Sequence, residues 1–254
     1  VKAYEKRAHR EEAAYDKGIH RERFDALFAQ CNYFTNLKKA EYIRRFLAPI
    51  KRGRFLEIGC DCWYGWIIEN GGRPEKIDVI NISRQELQRG KKNCGKTTLR
   101  PVFHHMDAHE LKFPDNSFDL VYGGAVLHHL ELERALSEIH RVLRPGGKIL
   151  FWEPLRLNPL SMAVRFITPF CRTRDERPFG IGELKTVSRF FSIQTIPYGL
   201  FLTPAGLLSQ ALGMRSDSVL LKGAYRLDQL ILGIFPPARY LFRAFFIAGR
   251  KESE

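Results

Sequence analysis

Cysteine is scarce in this 254-residue chain: five residues, Cys31, Cys60, Cys62, Cys94 and Cys171, an odd number scattered along its length. That excludes a small secreted scaffold stapled by disulfides and points to a reducing compartment, so a cytoplasmic location is expected. Cys60 and Cys62 have no second pair at zinc-like spacing, so no metal is expected and the two read as structural thiols. Long hydrophobic runs are also lacking. The opening VKAYEKRAHREEAAYDK mixes acids with bases and holds no apolar core of the secretory kind. Between Phe190 and Met214 no charge occurs, but Gln194, Pro197, Pro204 and Gln210 interrupt the stretch, which argues against a spanning helix. There is no internal repeat, no low-complexity tract and no aromatic-basic stacking module, so nucleic acid is not the favoured partner.

What is present suits a globular α/β chain. Hydrophobic residues make up 44% of it, enough for a sizeable core. The formal charge of +13 is uneven: bases exceed acids by 14 to 7 over residues 1–54 and by 14 to 8 over 150–254, while residues 55–149 balance at 13 each. Basic flanks attract nucleic acid, an anionic membrane or an acidic substrate, and charge alone does not choose among them.

Apolar spacing predicts a helical N-terminal cap over residues 1–49, with Phe24, Leu27 and Phe28 on one face and Tyr42, Phe46 and Leu47 on another. Arg54 to Gly59 then reads as a buried strand ending in a sharp turn, followed by a helix over 63–70. Further strands are expected at 76–82, 102–104, 118–122 and 148–152. Ser83 and Glu86 form a capping-box signature, and Leu130 to Leu143 forms an amphipathic helix stopped by Arg144-Pro145-Gly146-Gly147. A helix from Ile181, a strand at 191–196 and a last strand at 244–248 complete the pattern. Repeated strand-helix alternation implies a Rossmann-like, seven-stranded, mostly parallel sheet with helices on both faces. Ligands bind such sheets at the carboxyl ends of the strands, near the switch in strand order.

Leu56-Glu57-Ile58-Gly59-Cys60, Met106-Asp107-Ala108, Phe113 to Val121, Val126-Leu127-His128-His129-Leu130 and Arg141 to Gly147, in that order, resemble class I S-adenosylmethionine-dependent methyltransferases of the UbiE-like, small-molecule type. The resemblance covers roughly one hundred residues, spread over the five motifs. It implies S-adenosyl-L-methionine as cofactor and a small-molecule substrate, hydrophobic or glycosylated. Glu57 would organise the first loop and meet the cofactor's ammonium side, with Gly59, Cys60 and Asp61 forming the turn. Asn81 and Ile82 would lie at the ribose. Asp107 would accept from the adenine amine and Ala108 would offer a main-chain N–H. Gly123 and Gly124 would leave room at the methyl group, and His128 would be the candidate general base.

This sequence departs from the family pattern where Asp61 and Trp63 replace two loop glycines, and where Asn81 replaces the acid that usually holds the ribose. Asp78, nearby, reads as a solvated or helix-facing carboxylate. The alternatives to an enzyme on a small molecule are a methyltransferase-like binding protein without turnover and an RNA methyltransferase.

After Glu153, residues 156–183 are expected to form a lid over the cleft, with Arg172, Arg174 and Arg177 as candidate anion ligands and Asp175 and Glu176 as their local partners. An apolar insertion follows at about 198–243. Its Leu230, Ile231, Leu232, Ile234 and Phe235 stand beside Arg226, Arg239 and Arg243. Three readings stay open for it: peripheral contact with a membrane, a hydrophobic substrate tunnel, and a homodimer interface or ordinary core.

Overall fold

The computed structural model describes residues 3–16, 29–47, 50, 52–60, 63–93, 100–167, 173 and 175–252. Seven strands form one sheet: β1 (Gly53–Ile58), β2 (Pro74–Asn81), β3 (Val102–His105), β4 (Phe118–Gly124), β5 (Leu143–Pro154), β6 (Ser192–Tyr198) and β7 (Ala244–Arg250). Their spatial order is β3-β2-β1-β4-β5-β7-β6. The first five pair with one another in parallel, and β7 runs antiparallel to both β5 and β6. The expected Rossmann-like sheet is therefore the observed one.

The central strands are covered on both faces, which is why they read as near-continuous apolar runs. Side-chain alternation divides them into two cores. Leu56, Ile58, Val121 and Ile247 face Leu136 and Ile139 of α5 (Leu132–Val142) and Val187 of α7 (Ile181–Phe190). Phe55, Ile77, Tyr122 and Phe246 face the other way, onto Ile43 and Leu47 of α2 (Ala29–Leu47) and Ile67 of α3 (Tyr64–Glu69). The second half of the expected N-terminal cap is thus a core helix packed on the sheet. The first half, α1 (Ala3–Asp16), reaches the carboxyl ends of the strands. Phe24, Leu27 and Phe28 lie outside the described residues.

Two local expectations are corrected. Ser83 does cap α4 (Arg84–Asn93), its hydroxyl accepting from Glu86 N at 3.1 Å, but the Ser83 N–H is taken by Asn81 Oδ1 at 2.8 Å, so the reciprocal half of a capping box goes to another residue. Asp78 is not solvated: it is 0% exposed and lies 2.7 Å from both Arg54 Nε and His104 Nε2. Burial raises its pKa, and the Arg54 and His104 hydrogen bonds more than reverse that, holding it below the usual value.

The insertion folds as α8 (Leu202–Ala211), α9 (Val219–Ile234) and a 3-10 turn (Pro236–Leu241). Asp228 ties the two helices together, accepting from the backbone N–H groups of Gly199, Leu200 and Phe201 at 3.2, 3.2 and 2.6 Å, just before α8. α6 (Pro159–Ile167) lies against α8 through Val164 and Leu207.

Candidate active site

The strand order reverses between β1 and β4, and a cleft opens at that point beyond the strand ends. It encloses about 690 Å³ of atom-free space, part of it open to solvent. Its floor comes from Ile58, Gly59, Asn81, Asp107 and Gly124, one or more residues from each of β1 to β4 or the turn that follows; α1 supplies the roof through Ala8, Glu11 and Tyr15.

The turns at this floor are held in uncommon backbone conformations. Gly59 has φ +107°, and Cys60 and Ala125, which carry a Cβ, have φ +68° and +51°. A left-handed residue with a side chain costs roughly 1–2 kcal/mol, so such positions persist only where their surroundings fix them. Here they are fixed. Asn81 Nδ2 donates to Gly59 O at 2.7 Å, and Ala125 N donates to Trp152 O at 2.6 Å. Glu57, 0% exposed, accepts from Trp63 N at 3.2 Å and Tyr64 N at 3.3 Å, capping α3 from beneath.

Asp107 Oδ1 accepts from both the backbone N–H and the Nδ1 of His109, at 2.9 and 2.6 Å. His109 Nε2 in turn accepts from Glu131 N at 2.8 Å, which fixes the ring's proton on Nδ1. Burial raises the Asp107 pKa, but the two His109 bonds outweigh it and keep the carboxyl below its usual value. It is an anion whose Oδ2 carries neither bond.

His128 and His129 share one 3-10 turn (Leu127–His129), yet they do different things. The His128 ring lies between Glu153 Oε2, 2.7 Å from Nδ1, and Glu176 Oε1, 3.3 Å from Nε2. Burial lowers its pKa, but the two carboxylates dominate and push it up to about 9. The cationic ring and Arg165, 2.8 Å from Glu176, together supply positive charge to the group. Ligand atoms of His128, His129 and Glu176 lie within 4.8 Å of one another, with Glu176 paired to Arg165.

His129 lines the cleft. Its Nε2 is 3.1 Å from the Tyr15 hydroxyl, and its Nδ1 is 3.0 Å from Glu11 Oε2. Burial and the charge on His128 hold its pKa below 6.5.

Residues 56–151 match the family described as Methyltransferase domain. Over that span, about two fifths of the chain, it is similar to known methyltransferases. The similarity to curated proteins is local. The 27-O-demethylrifamycin SV methyltransferase of Amycolatopsis mediterranei (strain S699) is 34% identical over 107 residues, 41% of this chain and 39% of that protein. The ubiquinone/menaquinone biosynthesis C-methyltransferase UbiE of Brucella abortus (strain S19) is 36% identical over 117 residues, 42% of this chain and 43% of that one. The chain thus aligns with about two fifths of the length of these curated relatives. Among solved structures, the geranyl diphosphate C-methyltransferase of Streptomyces coelicolor A3(2), bound to Mg2+, geranyl diphosphate and S-adenosyl-L-homocysteine, has the same fold, with a TM-score of 0.58 at 12% identity over 84% of this chain and 78% of that one.

The fold places the residues singled out from sequence unevenly. Gly59, Asn81, Ile82, Asp107, Ala108 and Gly124 all line the cleft. Glu57, Cys60 and Gly123 stand behind it: Glu57 organises the loop, Cys60 is buried against α4, and Gly123 is packed so tightly that a Cβ there would lie 2.6 Å from Ile58 O. Asp61, Arg172 and Arg174 lie outside the described residues. Asp175 and Glu176 pair with Arg10 of α1 and Arg165 of α6.

Trp63 does not fill the cleft. Its indole belongs to the core on the opposite face, so close under Gly124 that a Cβ at that glycine would be 2.6 Å from the ring. His128 does not line the cleft: its ring is held between the Glu153 and Glu176 carboxylates, 2.7 and 3.3 Å away, which push its pKa up to about 9. The residues that sequence reasoning missed are Glu11, Tyr15, His109 and His129 as the cleft-facing histidine. Only the last was marked, by its place in the His128-His129 pair.

Proposed function

We propose that the chain is an S-adenosylmethionine-dependent methyltransferase acting on a small, hydrophobic or glycosylated metabolite. The observation that carries this reading is the Asp107 carboxylate, charged and anchored by His109, at the floor of a cleft built from the turns after β1 to β4. S-adenosyl-L-homocysteine in the Streptomyces neighbour and the methyltransferase relatives support the choice of cofactor.

The residues fit that group. Asp107 Oδ2 would accept from the adenine amine, and the Ala108 N–H would meet the ring beside it. Each atom of the Asn81 amide has spent one hydrogen bond on the loop and retains capacity for a ribose hydroxyl. Gly59 is open, since a Cβ there would meet Val126 at an ordinary 3.5 Å. The cofactor supplies an electrophilic methyl group on a sulfonium. Ile58, Ile80, Met106, Val126 and Leu130 make the walls apolar, favouring a hydrophobic acceptor and excluding water.

Glu11 beside Nδ1 favours the tautomer that leaves a lone pair on His129 Nε2. That nitrogen takes the acceptor's proton, directly or through the Tyr15 hydroxyl, and Glu11 stabilises the imidazolium formed.

Calorimetric titration with S-adenosyl-L-homocysteine is the test. Saturable binding that Asp107→Ala weakens at least tenfold, about 1.4 kcal/mol, upholds the assignment. Unchanged affinity in the variant removes the adenine role, and no binding to the wild-type protein leaves a domain with methyltransferase ancestry and no turnover.

A further inference from the structure

The cleft leaves the outer face of the insertion without a role. α9 is amphipathic, yet it turns apolar side chains outward. Leu221 and Asp228 on its inner side are 0% and 1% exposed. On its outer side Val219, Leu230 and Ile234 are 85%, 56% and 71% exposed, in one stripe with Lys222 and Arg226 at helical spacing. The pattern extends beyond one helix. Of the sixteen large apolar residues exposed among the described residues, thirteen fall within 157–167 or 201–241. Phe166, at the end of α6, is 86% exposed, and α6 is held to α8 by the Val164 contact.

The charge on this face selects its occupant. Lys222 and Arg226 make no salt bridge among the described residues, and the stripe contains no acid, since Asp228 points inward. A two-fold contact between copies through α9 would set these bases against the same bases, and Asp217, the acid beside Lys222, is already paired with Arg215 at 3.0 Å. An anionic lipid surface satisfies both halves of the pattern: apolar side chains enter the acyl boundary while the long basic stems reach back to the phosphates. No helix among the described residues is long and apolar enough to cross a membrane, so the contact is peripheral. The Asp228 bonds that join α9 to the start of α8 hold the face preformed.

We propose that the α6–α8–α9 face docks on the surface of an anionic lipid bilayer, with Leu230 and Ile234 in the acyl boundary and Lys222 and Arg226 at the headgroups. The assignment is independent of the cleft chemistry, so its failure leaves the methyltransferase reading untouched.

Sedimentation of the full chain with phosphatidylcholine vesicles, with and without phosphatidylglycerol, at low and high salt tests it. Wild-type protein pellets with the anionic vesicles. The Leu230→Glu, Ile234→Glu double variant loses at least about tenfold in partition coefficient, equivalent to about 1.4 kcal/mol. The Lys222→Gln, Arg226→Gln variant loses its preference for anionic lipid and its salt sensitivity. All four positions face solvent, so the variants keep the wild-type melting temperature within a few degrees. Absence of wild-type protein from the anionic pellet overturns the proposal, as does equal pelleting by wild type and the double acid variant. A wild-type dimer in sedimentation velocity that Leu230→Glu, Ile234→Glu dissociates, with no vesicle binding, gives the face to a second copy instead.

Discussion

At the scale of single residues, the neighbouring histidines separate by environment rather than by type. His128 sits between two carboxylates and is cationic; His129 sits beside Tyr15 and Glu11, with its pKa held below 6.5, and is neutral near pH 7. His129→Gln is therefore expected to lower kcat by roughly 10²–10⁴-fold, the usual contribution of a positioned base, while cofactor affinity changes little. In the wild type the acid limb of kcat/KM lies below pH 6.5, because the base works only when unprotonated. Single-turnover kinetics across pH 5 to 8, roughly the range where imidazoles titrate, checks both expectations. A Gln variant with wild-type kcat would leave methyl transfer to positioning alone. Which member of the pair faces the cleft depends on the phase of a single 3-10 turn, and adjacent letters in a sequence do not carry that phase.

At the scale of elements, α1 is held to the rest of the molecule chiefly by polar groups. Arg7 donates to the carbonyls of His128 and Asp175 at 3.1 and 2.8 Å, Arg10 pairs with Asp175, and Ser83 donates to Asp16 at 2.5 Å. Little apolar surface secures it, with Ala8 its main buried hydrophobic residue. Such an element opens more easily than the core. Arg7→Ala is expected to speed amide exchange across Ala3–Asp16 at least about tenfold, roughly the loss of one charge-assisted hydrogen bond, with β1 and β4 unaffected. Exchange read by mass spectrometry decides it, and equal acceleration in β1 would show global rather than local loosening. The strands were readable from sequence because parallel strands buried on both faces leave continuous apolar runs, as at Phe55 to Ile58 and Phe118 to Tyr122. The start of β5 was not: Arg144-Pro145-Gly146-Gly147 reads as a helix stop, yet Leu143 already pairs with Phe118 across a register shift. Tyr15 and Glu11 were invisible as site residues because their partner, His129, is more than a hundred positions away.

At the scale of the whole molecule, the His128 ring is where separate parts of the chain meet. Glu153 comes from the end of β5, Glu176 from the segment after α6, Arg165 from α6 itself, and Arg7 of α1 donates to the His128 carbonyl. Sequence inspection marked the pair for chemistry and missed this joint, because the charges that create it come from distant segments. The joint makes stability depend on pH in a defined direction. For His128 the folded pKa, about 9, is above the ordinary 6.5, so its contribution is complete below pH 6.5 and is lost as pH rises through 9. For Glu176 the folded value, about 2, is below the ordinary 4.5, so its contribution is complete above pH 4.5 and is lost as pH falls toward 2. The two groups share one contact, so their contributions are not summed. The His128 part is on the order of 3 kcal/mol, which for a chain of this size corresponds to a melting temperature lower by on the order of 5–10 °C once the ring is neutral. Calorimetric melting of wild type and His128→Gln, compared at pH 6 and at pH 9.5 or about three units apart, isolates it from other alkaline effects. The gap between the two proteins is expected to be wide at the lower pH and to shrink at the higher one; a gap that stays constant would mean that the ring is neutral throughout and that the clamp is held by hydrogen bonds without charge.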